Sequence, residues 1–296
     1  MTEGTQPTPP VTGSPEWASL VTASKVAGIL GVSPWTSQRA TWHLMRGDLT
    51  REEPTDVQRR GQYLEDGVLR WWMDQHPEYA HTVTQPWCTT VPWGGAQPDV
   101  RARTEDGRVV LVEAKTAADD SEWGTPGTDE VPTHYLAQCY WQLAMDPGAE
   151  RVHIPVLTSH LRLVEYVVER DAEVIADLVE RCARFHASLT SDTPPPLDDH
   201  PATVAVLKAL NPDIDRGTSV VLSDAEAVAW VATGAALKDA EAAERQARAV
   251  VLDRMGRAQY ATDPTGTRVA RRQNAARGVS LVRTATLTDL IGDTAA

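Results

Sequence analysis

The sequence predicts a mixed α/β fold, a central sheet flanked by helices, with a helical C-terminal extension that ends in a small hairpin. Three observations support this prediction. Apolar residues recur at helical spacing before residue 76, the period changes to extended, β-branched segments after residue 80, and both patterns then alternate up to residue 188. With 296 residues, 42% of them hydrophobic, the chain can bury a sizeable core.

Three helices are expected near the N-terminus, over residues 24–30, 34–46 and 57–75. Ser24 is a suitable N-cap for the first helix, and Gly31 ends it. Pro34 favours the first position of the second helix because proline lacks an N–H that would be unsatisfied there, and Gly47 ends that helix. In the third helix one face carries the residues expected to pack against the core: Leu64, Val68, Leu69 and Trp72.

Strands are expected over residues 81–91, 97–103, 108–113, 151–157 and 161–168. Glu105-Asp106-Gly107 fits the turn of a hairpin between the second and third strands. The third strand is rich in valine, which is typical of a central strand buried on both faces. A polar loop over 117–130 follows it, then a helix from Pro132 to about Asp146, and a last helix over 171–188.

The expected domain organisation has four parts: a disordered lead over residues 1–15, a folded domain over 16–190, a linker over 191–217 and a C-terminal extension over 218–296. The lead holds four prolines and has no apolar period. Three prolines at 194–196 close the folded domain. Ser223-Asp224-Ala225-Glu226 is a capping box that introduces a long helix to about Gly256, and residues 266–284 alternate weakly, as in a small hairpin.

The net charge of −13 argues against a protein that coats nucleic acid along its whole surface. The charge is segregated, however. Between residues 245 and 283 nine arginines face only two aspartates, a local balance of +7, so the remaining residues carry −20. This segment predicts contact with an anionic partner or with an acidic surface of a neighbouring subunit, and a solvated helix face is the alternative.

Two further features indicate a cytoplasmic protein. No apolar run reaches the roughly 20 residues that a membrane span needs, and the N-terminus lacks the basic and apolar pattern of a signal peptide. The three cysteines, Cys88, Cys139 and Cys182, are odd in number and widely spaced, which fits neither a disulfide framework nor a zinc ligand set. They are expected to be buried, reduced thiols.

The strongest chemical pattern is Pro98-Asp99 followed by Glu113-Ala114-Lys115. If the two segments are neighbouring strands of one hairpin, Asp99 approaches Glu113, and Glu113 and Lys115 share a strand face. Two carboxylates, with the carbonyl of Ala114, suit Mg²⁺, and the Lys115 amine can orient or help deprotonate a water that attacks a phosphodiester. The alternative is a set of solvated carboxylates at strand ends, but the apolar neighbours of Lys115 would make an unpaired charge costly.

Four segments occur in a fixed order over residues 17–190: Thr22-Ala23-Ser24 with Ile29-Leu30-Gly31-Val32-Ser33-Pro34-Trp35; Gly61-Gln62-Tyr63-Leu64-Glu65; Pro98-Asp99 with Glu113-Ala114-Lys115; and Pro132-Thr133-His134-Tyr135-Leu136-Ala137-Gln138 with Gln142. Together they resemble the YqaJ-type phage recombination exonucleases, the lambda-exonuclease-like branch of the PD-(D/E)XK nuclease superfamily. Their joint occurrence is more specific than the Asp-Glu-Lys pattern alone.

The resemblance implies a PD-(D/E)XK nuclease core and a Mg²⁺-dependent 5′→3′ exonuclease, with Mn²⁺ as a substitute ion, that leaves 3′ single strands of duplex DNA for recombination. The catalytic residues that it implies are Asp99, Glu113, Lys115, Glu65 and Gln138, with Asp99, Glu113 and Ala114 as metal ligands. It implies DNA contacts for Ser24 and Gln142, and the residue types of Lys25 and Tyr135 make them further DNA-binding candidates. The implied partners are duplex DNA ends, a single-strand annealing protein and further copies of the chain, in a bacterial host cytoplasm.

Structural alternatives accompany these assignments. Glu65 could be an ordinary exposed helix carboxylate, and Gln138 and Gln142, four residues apart, equally suit a solvent-exposed polar stripe. In the family an arginine shares the phosphate contact of the serine, whereas residues 17–21 here hold none, and Lys25 is the candidate substitute. Tyr135 and Trp123 could stack on bases, while Trp141 is expected in the core.

Two other functions remain open at this point. The first is a repair nuclease or endonuclease of the same superfamily, although relatives with an iron–sulfur cluster are disfavoured because the chain has only three cysteines. The second is a non-catalytic DNA-binding or assembly protein that keeps the fold. Intact Asp99, Glu113 and Lys115 argue against the second.

Overall fold

The strands that carry the Asp-Glu-Lys pattern lie side by side in the computed structural model of the chain, which describes residues 10–11, 13–49, 53, 55–276, 278–286 and 289–290. The chain divides into two compact units, Met1–Ile214 and Asp215–Ala296. Most of the predicted lead, residues 1–15, lies outside the described residues. Within them, no helix has both the length and the apolar character that crossing a bilayer requires.

The helices are α1 (Pro15–Ser19), α2 (Ala23–Leu30), α3 (Gln38–Arg46), α4 (Asp56–Gln75), α5 (Thr133–Met145), α6 (Ala172–Ser188), α7 (Pro201–Leu210) and α8 (Asp224–Met255). The strands are β1 (Val21–Thr22), β2 (His81–Thr84), β3 (Gly94–Gly95), β4 (Val100–Arg103), β5 (Val109–Val112), β6 (Lys115–Thr116), β7 (Ala149–Leu157), β8 (Leu163–Glu169), β9 (Tyr260–Thr262), β10 (Arg268–Ala275) and β11 (Gly278–Arg283).

The central sheet of the first unit has the order β2-β4-β5-β7-β6, with β8 also paired to β7. Strands β5 and β6 are both parallel to β7, whereas the other pairs are antiparallel. Because Val112 pairs with His153 and Lys115 with Val156, β5 and β6 keep one register. They are two halves of one interrupted strand, and Glu113 and Ala114 occupy the interruption. The mixed sheet with flanking helices confirms the predicted fold class.

Helices cover the sheet on both faces. On one face α5 packs against a cluster that includes Leu111, Val152 and Ile154. On the other face α4 contributes Leu69 and Trp72 to a separate apolar cluster that holds the alternate strand residues: Val100, Ala102, Val110 and Val112. The alternation of side chains along β5 therefore sends odd-numbered residues to the α5 face and even-numbered residues to the α4 face.

Two glycine positions are required by the local geometry. Gly107, with a φ of 96°, closes the predicted hairpin between β4 and β5, since a left-handed conformation is costly for any residue with a Cβ. At Gly95 a Cβ would lie 2.2 Å from the Trp87 ring. Only glycine lets the chain pass this close to an indole, and the pass allows the Gly95 carbonyl to accept a 3.1 Å hydrogen bond from Trp141 Nε1.

The predicted helices exist, but three details of their starts and faces are wrong. Ser24 does not cap α2, because the N-cap is Thr22 and Ser24 lies in the first turn. Pro34 does not open α3. The Ser33 hydroxyl accepts the N–H groups of the two residues after Pro34 in a separate turn, and Ser37 caps the helix instead. Leu64 is 38% exposed, because burial along α4 begins only at Val68.

Four of the five predicted strands are shorter than expected, whereas β7 begins two residues earlier, at Ala149, and the segment 191–217 is not only a linker. The strand expected over 81–91 ends at Thr84, because Gln85 has a φ of 48° that an extended strand does not permit. Helix α7 lies inside the expected linker. Its Thr203 hydroxyl donates to the Ser37 hydroxyl of α3 at 2.6 Å, and the first compact unit extends to Ile214. The weak apolar period of this segment concealed a helix with only two buried residues, Thr203 and Val206.

The second unit consists of α8 and a three-stranded antiparallel sheet of order β11-β10-β9. The predicted capping box is present: the Ser223 hydroxyl accepts the Glu226 N–H, and the Glu226 carboxylate accepts the Ser223 N–H. The predicted hairpin is formed by β10 and β11. Over its 32 residues α8 buries only Met255, so little apolar packing holds this unit together.

Candidate active site

The interrupted strand brings Asp99 beside the Glu113-Ala114-Lys115 segment. Val100 of β4 pairs with Val112 of β5, which sets Asp99 opposite the residues that follow β5. The Ala114 N–H donates a 2.8 Å hydrogen bond to Asp99 Oδ2. The juxtaposition predicted from the hairpin is therefore present.

Glu113 is the hydrogen-bonding centre of the site, and it is only 6% exposed. One carboxylate oxygen accepts from Lys115 Nζ at 2.6 Å and from the Gln138 side-chain amide. The other oxygen accepts from Gln142 Nε2 at 2.6 Å. Glutamine amides and an ammonium can donate to both oxygens at once, so this carboxylate has a fixed orientation.

Helix α5 delivers the two glutamines from above the sheet. Gln138 and Gln142 are separated by four residues, one turn, so both point to the same carboxylate. Gln142 is fully buried, which excludes the solvent-exposed polar stripe considered from the sequence. Its Oε1 atom is one of the buried polar atoms that have no hydrogen-bond partner among the described residues.

The electrostatics of the site are those of crowded carboxylates. Burial raises the pKa of Asp99 to about 8, with repulsion from Glu113 and Glu65 adding to it and Lys115 opposing it. Burial, with repulsion from Glu113 next, also raises the pKa of Glu65. For Lys115, burial lowers the pKa, but the attraction of Glu113 and Asp99 outweighs it, and the net direction is upward. The lysine is therefore a charged donor at neutral pH.

This crowding fits a divalent cation. Asp99, Glu113 and Glu65 repel one another in a partly buried setting, and a bound dication would neutralise them. The donor set consists of oxygen atoms, as Mg²⁺ prefers. Asp99, Glu113 and the Ala114 carbonyl are the atoms that could hold it, with Glu65 close enough to interact with both acids.

Helix α4 positions Glu65, one turn after Gly61, beside the sheet. A Cβ at Gly61 would lie 3.8 Å from Thr116 Oγ1 of β6, so this turn of α4 runs along the strand that starts with Lys115.

Gln85 is a further residue at the site, and it was not predicted from the sequence. Its N–H donates to the Asp99 carbonyl at 2.9 Å, and its side chain is a hydrogen-bond neighbour of Glu65. No motif in the sequence marks it.

Aromatic rings line the approach to Lys115. The Lys115 ammonium lies 5.0 Å from the centre of the Tyr135 ring, which also contacts Trp123 at 5.5 Å between centroids. Trp35, 66% exposed, packs edge-on against His134 at 4.6 Å. Trp35 belongs to the first of the four sequence segments, but the sequence did not indicate a role for it. Trp141, in contrast, is fully buried, as predicted.

A surface cavity adjoins these rings between the ends of two helices. It is lined by residues 31–34 after α2, by Val131 and residues 132–134 at the start of α5, and by Glu122.

Ser24, at the other end of α2, is exposed, and its hydroxyl lies 3.3 Å from that of Thr22. The Lys25 ammonium donates to the carbonyls of Trp17, Ala18 and Leu20 at 2.7 to 2.9 Å. Because an ammonium has three donors, a phosphate would have to displace one of these carbonyls.

The arginines of the second unit are partly paired within that unit. Glu244 accepts from Arg248 at 2.7 Å and from Arg283 at 2.8 Å, and Arg245 lies 3.9 Å from Glu241. The Arg268 guanidinium stacks on Tyr260 at 4.4 Å. Arg277 lies outside the described residues.

The three predicted thiols, Cys88, Cys139 and Cys182, are free and buried.

Part of the chain is similar in sequence to a known protein family. Residues 17–149 match the profile of the family described as YqaJ-like viral recombinase domain. This stretch contains all four segments noted in the sequence. No curated protein is significantly similar in sequence.

Several solved structures are similar to the chain. An alkaline exonuclease from Laribacter hongkongensis has 17% identity and a TM-score of 0.45, covering 66% of this chain and 96% of that one. A phage-related exonuclease from Haemophilus somnus has 13% identity and a TM-score of 0.45, covering 58% and 96%. A putative exonuclease from Eubacterium rectale has 12% identity and a TM-score of 0.44, covering 75% and 98%.

Proposed function

We propose that the chain, whose residues 17–149 match the family described as YqaJ-like viral recombinase domain, is a metal-dependent exonuclease for double-stranded DNA. It digests duplex ends in the 5′→3′ direction and leaves 3′ single strands for recombination. One observation carries the proposal: Asp99, Glu113 and Lys115 converge at an interrupted strand, and Gln138 and Gln142 hold Glu113 by both oxygens.

The expected ion is Mg²⁺, with Mn²⁺ as a substitute, held by Asp99, Glu113 and the Ala114 carbonyl with help from Glu65. When bound, the ion supplies Lewis-acid polarisation of the phosphate and a more acidic water. Burial and mutual repulsion in this cluster of carboxylates raise the pKa of Asp99 to about 8. A bound cation would offset that repulsion.

Lys115 acts as a charged hydrogen-bond donor in this scheme. Its ion pair with Glu113 raises its pKa further despite burial, so it holds its proton at neutral pH. The ammonium orients the attacking water and stabilises the negative charge that develops on the phosphate oxygens. Lys115 keeps both roles that the sequence allowed for it, to orient the water and to help deprotonate it.

The two glutamines are positioning residues. Each donates an amide N–H to a different oxygen of Glu113, which fixes the plane of the carboxylate toward Asp99. A carboxylate that rotated freely would present its lone pairs to the ion in several directions. We expect removal of one glutamine to weaken ion binding more than it weakens the fold.

The DNA is expected to approach along the aromatic residues. Tyr135 and Trp35 offer ring faces and edges near Lys115 on which a terminal base can stack. Ser24 offers an exposed hydroxyl for a 5′ phosphate at the start of α2, with Lys25 nearby. A single-strand annealing protein and further copies of the chain are the expected protein partners, and the arginines of residues 245–283 are candidates for contact with either DNA or a subunit.

Digestion of a linear duplex labelled separately at each 5′ end and each 3′ end tests the proposal. In Mg²⁺ we expect early release of the 5′ labels in short products while the 3′ labels stay in long single strands. Full-length Lys115→Ala serves as the inactive control, and a closed circular duplex detects endonuclease activity. Early release of the 3′ labels would contradict the direction, cleavage of the circle would favour the endonuclease, and no metal-dependent cleavage at all would favour a non-catalytic protein.

A further inference from the structure

A second polar cluster, formed by His76, His153 and Glu165, lies on the sheet face opposite Glu113. His153 of β7 pairs with Val112, an even-numbered residue of β5, and therefore points to the α4 face. Glu165 of β8 is paired with Pro155, two residues from His153, and shares that face. His76 ends α4 as its C-cap residue. The cluster is thus distinct from the candidate active site, whose central carboxylate, Glu113, is bonded to α5.

The three residues present their donor atoms to a common point. One ring nitrogen of each histidine and a carboxylate oxygen of Glu165 all lie within 4.8 Å of one another. His153 Nδ1 is 2.7 Å from Glu165 Oε1, and His76 Nε2 is 3.0 and 3.1 Å from the two oxygens of Glu165. Ligands on a tetrahedral ion with bonds of about 2.0 Å are roughly 3.3 Å apart. The two histidine–glutamate separations would widen by a few tenths of an ångström to accept such an ion, and the two histidine nitrogens already lie within 4.8 Å of each other.

The surroundings of His76 make its ring nitrogens unusual. Nδ1 lies 3.1 Å from Glu78 Oε1 while Nε2 faces Glu165, so both nitrogens meet a carboxylate. A neutral imidazole has one N–H and can satisfy only one of them. If Nδ1–H donates to Glu78, the lone pair of Nε2 points at a negative oxygen, and a cation between them removes the conflict. A carboxylate that orients a histidine through its other nitrogen is the usual outer partner of a metal-bound histidine.

The cluster is also rigid and reachable. The His76 ring stacks on Trp72, which is fully buried, at 4.7 Å between centroids, and Trp72 Nε1 donates to Glu165 Oε1 at 2.8 Å. The His153 side chain is 6% exposed, whereas those of His76 and Glu165 are 18% and 24% exposed. An ion can therefore enter from the side of His76 and Glu165 and retain a water as a further ligand. His153 Nε2 is buried and has no hydrogen-bond partner among the described residues, so no acceptor there fixes the tautomer of the ring.

We propose that His76 Nε2, His153 Nδ1 and the Glu165 carboxylate bind one first-row divalent ion of the zinc class, separately from the Mg²⁺ expected at Asp99 and Glu113. Two imidazoles and one carboxylate favour Zn²⁺ or Co²⁺ over Mg²⁺ and Ca²⁺, which prefer all-oxygen sites. The ion ties the end of α4 to β7 and β8. Because the Glu113 N–H donates to the His153 carbonyl at 2.9 Å, the tie reaches the strand that carries the active-site acids.

The test uses full-length protein that carries Asp99→Ala, which disables the carboxylate site and leaves the cluster intact. After removal of bound metal, Zn²⁺ alone is titrated by calorimetry, and Co²⁺ alone is followed by its visible absorption, which is much stronger for four-coordinate than for octahedral Co²⁺. We expect one tight ion, a tetrahedral-type Co²⁺ spectrum displaced by Zn²⁺, and a rise of the thermal midpoint in Zn²⁺.

Matched variants locate the ion. His76→Ala and the isosteric Glu165→Gln should each weaken Zn²⁺ binding by about tenfold or more and abolish the Co²⁺ spectrum. His160→Ala, at a histidine whose side chain is 78% exposed beside Asp120, and Glu169→Gln, on the same strand as Glu165, should leave both unchanged. Absence of a tight Zn²⁺ ion, or binding that survives both His76→Ala and Glu165→Gln, would overturn the proposal. Neither outcome depends on nuclease activity, so failure here leaves the proposed exonuclease unaffected.

Discussion

The first unit, Met1–Ile214, holds three apolar clusters around its sheet, whereas α8, the longest element of Asp215–Ala296, buries only Met255. Asp99 and Glu113 adjoin the ends of β4 and β5, whose apolar residues are buried, and these strands fix their separation. The large apolar residues along α8 are exposed: Val228, Trp230, Val231, Leu237 and Val250. We therefore expect the chemistry, which needs fixed distances, in the first unit, and we propose that the second unit offers a surface for engagement.

The largest expected effect distinguishes the two units by activity. Lys115→Ala and Glu113→Gln should each lower the rate of Mg²⁺-dependent DNA hydrolysis by about 10²- to 10⁴-fold, since each removes a charged group that acts on the reacting phosphate or its ion. Arg248→Ala in α8 is the control and should retain the rate at low salt. The measurement is release of acid-soluble nucleotide, with circular dichroism to verify folding. A Lys115→Ala protein with nearly wild-type turnover would refute the site.

Truncation of an apolar side chain should lower the free energy of unfolding more in the first unit than in the second. Leu111→Ala, in the fully buried part of β5, should lower the free energy of unfolding by about 2–5 kcal/mol because it opens a cavity. Leu237→Ala, at a position 61% exposed on α8, should change it by less than about 0.5 kcal/mol. Urea unfolding followed by circular dichroism measures both. A cost for Leu237→Ala comparable to that of Leu111→Ala would mean that α8 is covered in solution.

The crowded acids of the first unit should give it a pH-dependent stability when metal is removed. The pKa of Asp99 is raised by burial from 3.8 to about 8, so the folded state binds a proton that the unfolded state releases within this range. Stability in chelator should therefore fall as the pH rises from about 4 to about 8. Asp99→Asn should reduce this slope, and Mg²⁺ should stabilise the wild type more at pH 8 than at pH 5. A slope that is the same in Asp99→Asn and wild type would contradict the crowding.

The smallest expected effect concerns the arginines of the second unit. If Arg254 and Arg257 bind phosphates, Arg254→Ala/Arg257→Ala should reduce the slope of log affinity against log salt by about two, roughly one for each phosphate that is no longer neutralised. Arg245→Ala/Arg248→Ala, whose guanidinium groups pair with Glu241 and Glu244, is the matched control and should change the slope less. Equal slopes for the wild type and both variants would indicate a solvated helix face.

The parts of the site that the sequence predicted depend on short-range geometry. A hairpin of two strands fixes which residues face each other, so Asp99, Glu113 and Lys115 could be brought together from strand alternation and one turn. The overall α/β class followed from the change of apolar period. The resemblance to YqaJ-type exonucleases, based on four segments, is confirmed over residues 17–149.

The parts that the sequence did not predict depend on how distant elements cross. That Gln142 is fully buried against Glu113, 29 residues away, is a consequence of where α5 lies on the sheet. The cluster of His76, His153 and Glu165 joins a helix end to two strands and has no characteristic spacing. The wrong details at Ser24 and Pro34 arose because neighbouring residues, Thr22 and Ser37, take the capping positions.

We place the chemistry in the first unit, at Asp99, Glu113 and Lys115. Residues 1–214 enclose all three apolar clusters, so this segment is expected to fold by itself. The decisive measurement is Mg²⁺-dependent hydrolysis of a short duplex at low salt by residues 1–214, beside full-length Asp99→Ala. We expect cleavage by the shortened chain and none by full-length Asp99→Ala. A shortened chain that is folded but inactive, or an Asp99→Ala protein that cleaves, would contradict it.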